Sequence, residues 1–315
     1  MSKYRNNLPQ LDGGLFLTDG GIETTLIFHD GFDLPHFAAF DLLRDRKGKE
    51  ALQKYFATYA GIARSNGVGF VLESPTWRAS SDWAEKLSYS PEALDTVNRE
   101  AIELMKEVRA EFETGEAPMV VSGCIGPRGD GYDPGQVMSP EEAEAYHDGQ
   151  IRSFGKAGAD MITAITMTNV NEAVGLTRAA KAADIPAVIS FTVETDGKLP
   201  TGQSLKEAIE AVDAATDNGP AYYMINCAHP TLFDTTLAGQ DPWLKRIRGL
   251  RANASKLSHA ELDEATELDD GNPAEFGAQY SELRQRFPHI NVLGGCCGTD
   301  HRHVEQACMA CKKAA

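Results

Sequence analysis

Short apolar runs alternate with helical periodicity along the whole chain. The runs fall at residues 15–18, 68–73, 119–124, 161–166, 187–193, 221–227, 246–252 and 290–294. Most are continuously apolar rather than alternating, as expected for parallel strands covered on both faces. Between them, apolar residues recur at helical spacing and the helix ends carry chemical markers. Residues 50–66 place Leu52, Phe56, Tyr59, Ala60 and Ala63 on one face and stop at Gly67, a C-terminal signal. Ser90-Pro91 supplies a cap followed by a proline in the first turn. Ser139-Pro140-Glu141-Glu142 reads as a capping box, and Ser204-Leu205-Lys206-Glu207 and Asn272-Pro273-Ala274-Glu275 follow the same logic. Asn169 or Asn171 caps a helix reaching Ala183, and a last helix runs from Thr299 or Asp300 to about Lys312.

Eight strand–helix units at regular spacing predict a (β/α)8 barrel. The expected layout is one domain over residues 1–315, with its barrel core at about 12–310. A doubly wound open sheet is the rival, but no Gly-x-Gly-x-x-Gly follows the first strand. Two segments read as insertions. Residues 125–137, after strand three, hold four glycines and two prolines and suggest an active-site loop. Residues 256–271, after strand seven, are acidic through Glu261, Asp263, Glu264, Glu267, Asp269 and Asp270 and suggest a solvated excursion.

Charge narrows the partners. A net charge of −16 argues against nucleic acid and anionic membrane surfaces, both of which need basic patches. No apolar run is long enough to span a bilayer, and the first residues lack the apolar core of a signal peptide. The expected setting is cytoplasmic and reducing, with cysteines that bind metal, react or are simply buried. A homo-oligomer is left open.

The chemistry of a barrel collects at the C-terminal ends of its strands. Here those ends carry Asp19-Gly20-Gly21, Glu73-Ser74, Cys124, Thr166, Glu194, Asn226-Cys227, Asn253 and Cys296-Cys297. The last pair sits in Gly294-Gly295-Cys296-Cys297-Gly298-Thr299, where flanking glycines permit tight backbone turns. Cys227, Cys296 and Cys297 are therefore expected to bind one Zn²⁺, leaving its fourth position open. Three thiolates give such a site a net negative charge. That suits holding a further thiol as a nucleophilic thiolate better than acidifying water. The expected reaction is attack of a substrate thiolate on a methyl group of a cationic donor. Asp19 is a candidate acceptor for an ammonium group. Glu73 and Trp77 together suit a sulfonium or ammonium donor through charge and cation–π attraction. Cys124 reads as core or pocket wall, Cys308 and Cys311 as thiols on one helix face, and His301-Arg302-His303 as a solvated helix start. His229 reads either as a neighbour of the metal ligands or as a surface loop residue.

Leu17-Thr18-Asp19-Gly20-Gly21-Ile22-Glu23-Thr24, Ile225-Asn226-Cys227 and Gly294-Gly295-Cys296-Cys297-Gly298-Thr299 resemble the homocysteine S-methyltransferase family. Weaker matches are residues 73–80 (ESPTWRAS), Gly126-Pro127 and Ile189-Ser190-Phe191-Thr192. The resemblance implies a zinc-dependent barrel that methylates homocysteine to methionine. It places the zinc ligands on Cys227, Cys296 and Cys297, and homocysteine contacts on Asp19-Gly20 and on Glu73-Ser74. Glu23, Trp77 and Asn226 complete the expected substrate site. At the end of strand four the family has Glu-Thr, where the Glu helps hold the amino group; this chain has Ile165-Thr166. Asp19, Glu23 or Glu73 then replaces that Glu, or the acceptor thiol is a different one. Candidate donors are S-methylmethionine, S-adenosylmethionine and betaine; the lack of a glycine-rich adenosine motif leans towards the smaller ones. The rival functions are a zinc Lewis-acid hydrolase or lyase, which would show histidine or carboxylate ligands, and a non-catalytic protein with a four-ligand structural zinc.

Overall fold

All eight expected strands form, and each pairs with its sequence neighbours until the last returns to the first. In the computed structural model, which describes residues 2–257, 261 and 268–313, they are β1 (Phe16–Leu17), β2 (Gly69–Glu73), β3 (Met119–Ile125), β4 (Met161–Met167), β5 (Ala187–Thr192), β6 (Tyr222–Asn226), β7 (Ile247–Ala252) and β8 (Val292–Gly295). Every pairing is parallel, and β1 closes the barrel with Phe16 beside Gly69 on one side and Val292 on the other. This is a (β/α)8 barrel.

The large helices stand where the caps predict. They span Arg46–Asn66, Pro91–Phe112, Pro140–Ala157, Val170–Ala182, Leu205–Thr216, Pro273–Arg286 and His301–Lys313. The first begins four residues earlier than its apolar pattern, because Asp45 caps it by accepting from the Gly48 amide. Of the two asparagines, Asn169 is the cap, its Oδ1 accepting from Glu172 N at 2.9 Å. After β6 only the short turns Pro230–Leu232, Phe233–Thr236 and Pro242–Arg246 occupy the helical position.

Side-chain alternation along the strands divides the interior. Leu17, Phe70, Val121, Ile162, Ile189, Ile225, Leu250 and Leu293 join the core between strands and helices. Phe16, Val71, Val120, Met161, Val188, Tyr222, Met224 and Val292 form a second cluster with Leu8, filling the barrel lumen. Two residues further along five of these strands the lumen-facing positions turn polar, at Glu73, Ser122, Thr163, Ser190 and Asn226, and β7 adds Arg251; all are buried. The barrel is thus apolar at its base and hydrogen-bonded and charged at its mouth, which is where the site stands.

Residues 125–137 leave the barrel wall and cross the mouth without regular helix or strand beyond Ile125. Of the acidic stretch after β7, Asp263, Glu264 and Glu267 lie outside the described residues. Its described ends are tied down by Ser255 Oγ donating to Asp269 at 2.6 Å and by the Arg302–Asp270 pair at 2.7 Å. No described helix is long and apolar enough to cross a membrane.

Candidate metal and substrate site

The turn after β8 is built by close backbone approach. A Cβ on Gly294 would run into the Thr18 side chain, and one on Gly295 into Thr299, so only glycine fits at either place. Cys296 N continues the ladder to Ala252 O at 2.8 Å, and Thr299 Oγ1 donates back to Cys296 O at 2.7 Å. Gly298, at φ 76°, then reverses the chain into the last helix. Two strands away in the barrel wall, Cys227 ends β6 in a left-handed conformation, φ 56°, held by its amide donating to Arg251 O at 3.1 Å. A β-region residue there would point its thiol elsewhere; this backbone conformation is uncommon without glycine and clusters at functional sites.

The result is that the sulfurs of Cys227, Cys296 and Cys297 lie within 4.8 Å of one another. Tetrahedral zinc with sulfur at about 2.3 Å asks for sulfur–sulfur separations of about 3.8 Å. The three donors fit such an ion, and theirs is the one cluster of this kind among the described residues. Their mutual contacts favour the same reading. Hydrogen bonds shared with Cys227 and Cys297, with burial added, push the Cys296 thiol well above the usual thiol range. Three thiols packed this closely ionise together only when a cation balances them.

Around the thiols stands a charged network whose centre, Arg251, sequence reasoning missed, although it names the two carboxylates that Arg251 joins. Arg251, on the lumen side of β7, places Nη2 at 2.7 Å from Asp19 and Nη1 at 2.6 Å from Glu73. It also donates through Nε to Gly295 O at 3.1 Å, directly under the cysteine pair. Burial alone would weaken its charge; Asp19 and Glu73 more than offset that and hold it cationic. Tyr55 adds a hydrogen bond to Asp19 Oδ2 at 2.9 Å. Burial raises the Asp19 carboxyl above the ordinary range and Glu73 to about 7, against the pull of Arg251.

The other expected residues fall into distinct places. Ser74 Oγ accepts from Cys124 N at 3.1 Å and meets Thr76 Oγ1 at 2.7 Å, so it braces β2 against β3. Asn226 Oδ1 accepts from Thr166 N at 3.0 Å and Ser190 Oγ at 2.6 Å, while its Nδ2 donates to Thr166 Oγ1 at 2.9 Å. It ties the ends of β4, β5 and β6 together and sets where Cys227 begins. Gly20 has no room for a side chain, since a Cβ would lie 2.7 Å from the Tyr59 hydroxyl. Trp77 is half-buried at the mouth, its Nε1 donating to Ile165 O at 3.3 Å. Glu23 is half-buried beside the thiols. Burial first, then Cys297 and Asp19, raise it to about 7.

The glycine-rich loop lies over the site as expected and brings a residue that was not foreseen. The Tyr132 hydroxyl lies 3.4 Å from Cys297 Sγ. Arg78 holds the loop, donating to Gly129 O at 2.7 Å while its guanidinium stacks between Trp77 and Trp83 at 4.1 and 3.9 Å. Cys124 is buried below the mouth, as read. Cys308 and Cys311 are fully buried on the last helix, outside the thiol cluster. His229 is buried, and burial followed by the nearby Lys256 lowers it to about 4, so it is neutral. His303 corrects the picture of a solvated helix start: it is fully buried, bonded to Asp270 O at 2.8 Å.

Comparison with known proteins agrees with this geometry. The sequence profile of the family described as homocysteine S-methyltransferase matches residues 16–311. Homocysteine S-methyltransferase 1 of Arabidopsis thaliana is 24% identical over 307 residues, covering 91% of this chain and 90% of the relative. Selenocysteine Se-methyltransferase of Brassica oleracea var. italica is 23% identical over 310 residues, covering 91% and 86%. The metallated form of the homocysteine methyltransferase MmuM from Escherichia coli shares the fold with a TM-score of 0.73 at 16% identity, over 98% of this chain and 99% of that one. With a matched profile running from β1 to the last helix, the chain belongs to the homocysteine S-methyltransferase family.

Proposed function

We propose that this protein is a zinc-dependent thiol S-methyltransferase that moves a methyl group from a small cationic donor to homocysteine, yielding methionine. The observation that carries the reading is the convergence of Cys227, Cys296 and Cys297 within 4.8 Å at the barrel mouth. These three would hold the zinc. A bound zinc ion would supply a lowered thiol pKa, keeping the acceptor sulfur ionised and nucleophilic at neutral pH.

The remaining chemistry is alignment. The acceptor thiol releases its proton to solvent on binding, a sulfur–carbon bond forms to the donor methyl, and the bond from that methyl to the donor's sulfonium sulfur or ammonium nitrogen breaks, its electron pair leaving with the donor. Positive charge on the donor disappears as the acceptor's negative charge is quenched, so a pocket that excludes water and fixes the three atoms in line provides most of the rate. Trp77 offers an aromatic face to the cationic donor. The loop carrying Tyr132 covers the thiols, and Asp19, Glu73 and Arg251 fix the floor on which the acceptor sits. Candidate donors are S-methylmethionine, S-adenosylmethionine and betaine.

The test is metal analysis together with methionine formation from homocysteine and each donor, with and without a chelator. Zinc at one equivalent and chelator-sensitive turnover are expected. A Cys296→Ala variant that keeps its zinc and full turnover would refute the role of the cluster. One observation favours a second acceptor: Ile165 stands where the resemblance implies a carboxylate for the amino group, and one relative is named for selenocysteine. Other small thiols and selenols therefore belong in the same screen.

A further inference from the structure

We infer that Glu23 receives the α-ammonium group of the acceptor amino acid, an inference resting on the thiol-transfer reading above. Asp19 and Glu73, the other carboxylates beside the cysteine pair, are each only 4% exposed and share one guanidinium. Both are thus already charge-balanced by Arg251, and an added ammonium would compete with it for them. That residue also donates to Gly20 O at 3.3 Å and Gly295 O at 3.1 Å, so its movement would disturb the turns under Asp19 and Cys296.

Glu23 differs on each count. It is half-buried rather than sealed, and it makes no ion pair with any described cation. Its backbone is pinned against the cysteine turn: the next residue, Thr24, accepts from Gly298 N at 3.0 Å, and Gly21 N donates to Thr299 O at 3.1 Å. Its electrostatic neighbours are Cys297 and Asp19 on the acidic side and Arg78 on the basic side, and Arg78 makes no ion pair with it. An amino-acid thiol whose sulfur meets the three cysteines has its ammonium only a few bonds away, and Glu23 is close enough to Cys297 to interact with it electrostatically. At the end of β4 the mouth offers instead the apolar Ile165, 7% exposed. A cation at Glu23 would relieve the repulsion among the carboxylates and the thiolates together.

The experiment compares homocysteine with 4-mercaptobutanoate, which keeps the thiol and carboxylate but lacks the amino group, using one donor and the zinc-loaded protein. The wild-type protein is expected to favour homocysteine. Glu23→Gln should lower kcat/KM for homocysteine about 10- to 100-fold, the worth of one charge-assisted hydrogen bond, chiefly through KM. It should leave 4-mercaptobutanoate unchanged, and Glu23→Asp should restore part of the loss. Calorimetric titration of homocysteine without donor should show the same loss of affinity. Equal loss on both thiols would make Glu23 a proton acceptor or a structural residue and overturn the inference. So would an unchanged homocysteine KM, or a collapse of discrimination in Glu194→Gln instead, since Glu194 lines a small pocket with Cys227 and His229. If the wild-type protein methylates neither thiol, the transfer reading fails. The titration then decides alone, and homocysteine binding that ignores Glu23→Gln overturns the inference.

Discussion

Arg251 shows how one buried charge can organise a site. Its pairs with Asp19 and Glu73 are sealed from water, so removing it leaves two carboxylates facing each other in a low-dielectric pocket. Arg251→Met should destabilise the fold by about 3–5 kcal/mol, read as a fall in the urea midpoint with unchanged slope. Glu23 gives a pH signature. Its folded pKa of about 7 stands above the ordinary glutamate value of 4.5, so the folded state holds that proton more tightly than the unfolded one. The stabilisation is therefore complete below about pH 4.5 and lost as pH rises through about 7. In chelator, unfolding free energy should fall by on the order of 2 kcal/mol over that window. Glu23→Gln should flatten the slope, and a variant with an unaltered slope would assign the effect to Glu73, whose shift has the same sign.

Among elements, the joint between β7 and β8 carries the most. The Tyr280 hydroxyl donates to Gly294 O at 2.6 Å and accepts from Ala252 N at 2.9 Å, from outside the barrel wall. Tyr280→Phe leaves both groups buried without partners and should cost about 1–3 kcal/mol in urea unfolding, along with weaker metal retention. The loop over residues 125–137 is fastened differently, by two buried charged side chains: Arg78 donates to Gly129 O, and Glu172 accepts from Arg128 N at 2.7 Å. Arg78→Ala should leave the melting temperature nearly unchanged while exposing the loop to limited proteolysis and raising the donor KM. The strands and helices were legible because their apolar runs and caps are local. Arg251 was not: it sits in Arg246-Ile247-Arg248-Gly249-Leu250-Arg251, where three arginines look alike and only barrel closure buries the last between two carboxylates. Tyr132 was hidden for a related reason, since an irregular loop has no periodicity to say which side chain turns inward.

For the whole molecule, a metal that binds the folded chain and not the unfolded one stabilises it by mass action. Zinc at a hundredfold excess over its dissociation constant should add about 2.7 kcal/mol. The melting temperature should therefore rise with zinc in the wild-type protein, and Cys227→Ser should remove most of that rise. The thiol cluster itself was readable in advance because glycines frame one pair and an apolar run leads to the third. The carboxylate chemistry around it was readable only in part, because which acid keeps an open face depends on contacts between strands that are far apart in the chain.

The order of the strands also has a consequence for synthesis. Two of the three proposed sulfur donors belong to the turn after β8, the last of the eight barrel strands to be synthesised, and β8 closes the barrel by pairing with β1. A nascent chain that has made only seven strands holds one of the three proposed donors, Cys227, too few for the proposed site. On the proposed reading, the metal site is completed by the same event that joins the first and last strands of the barrel.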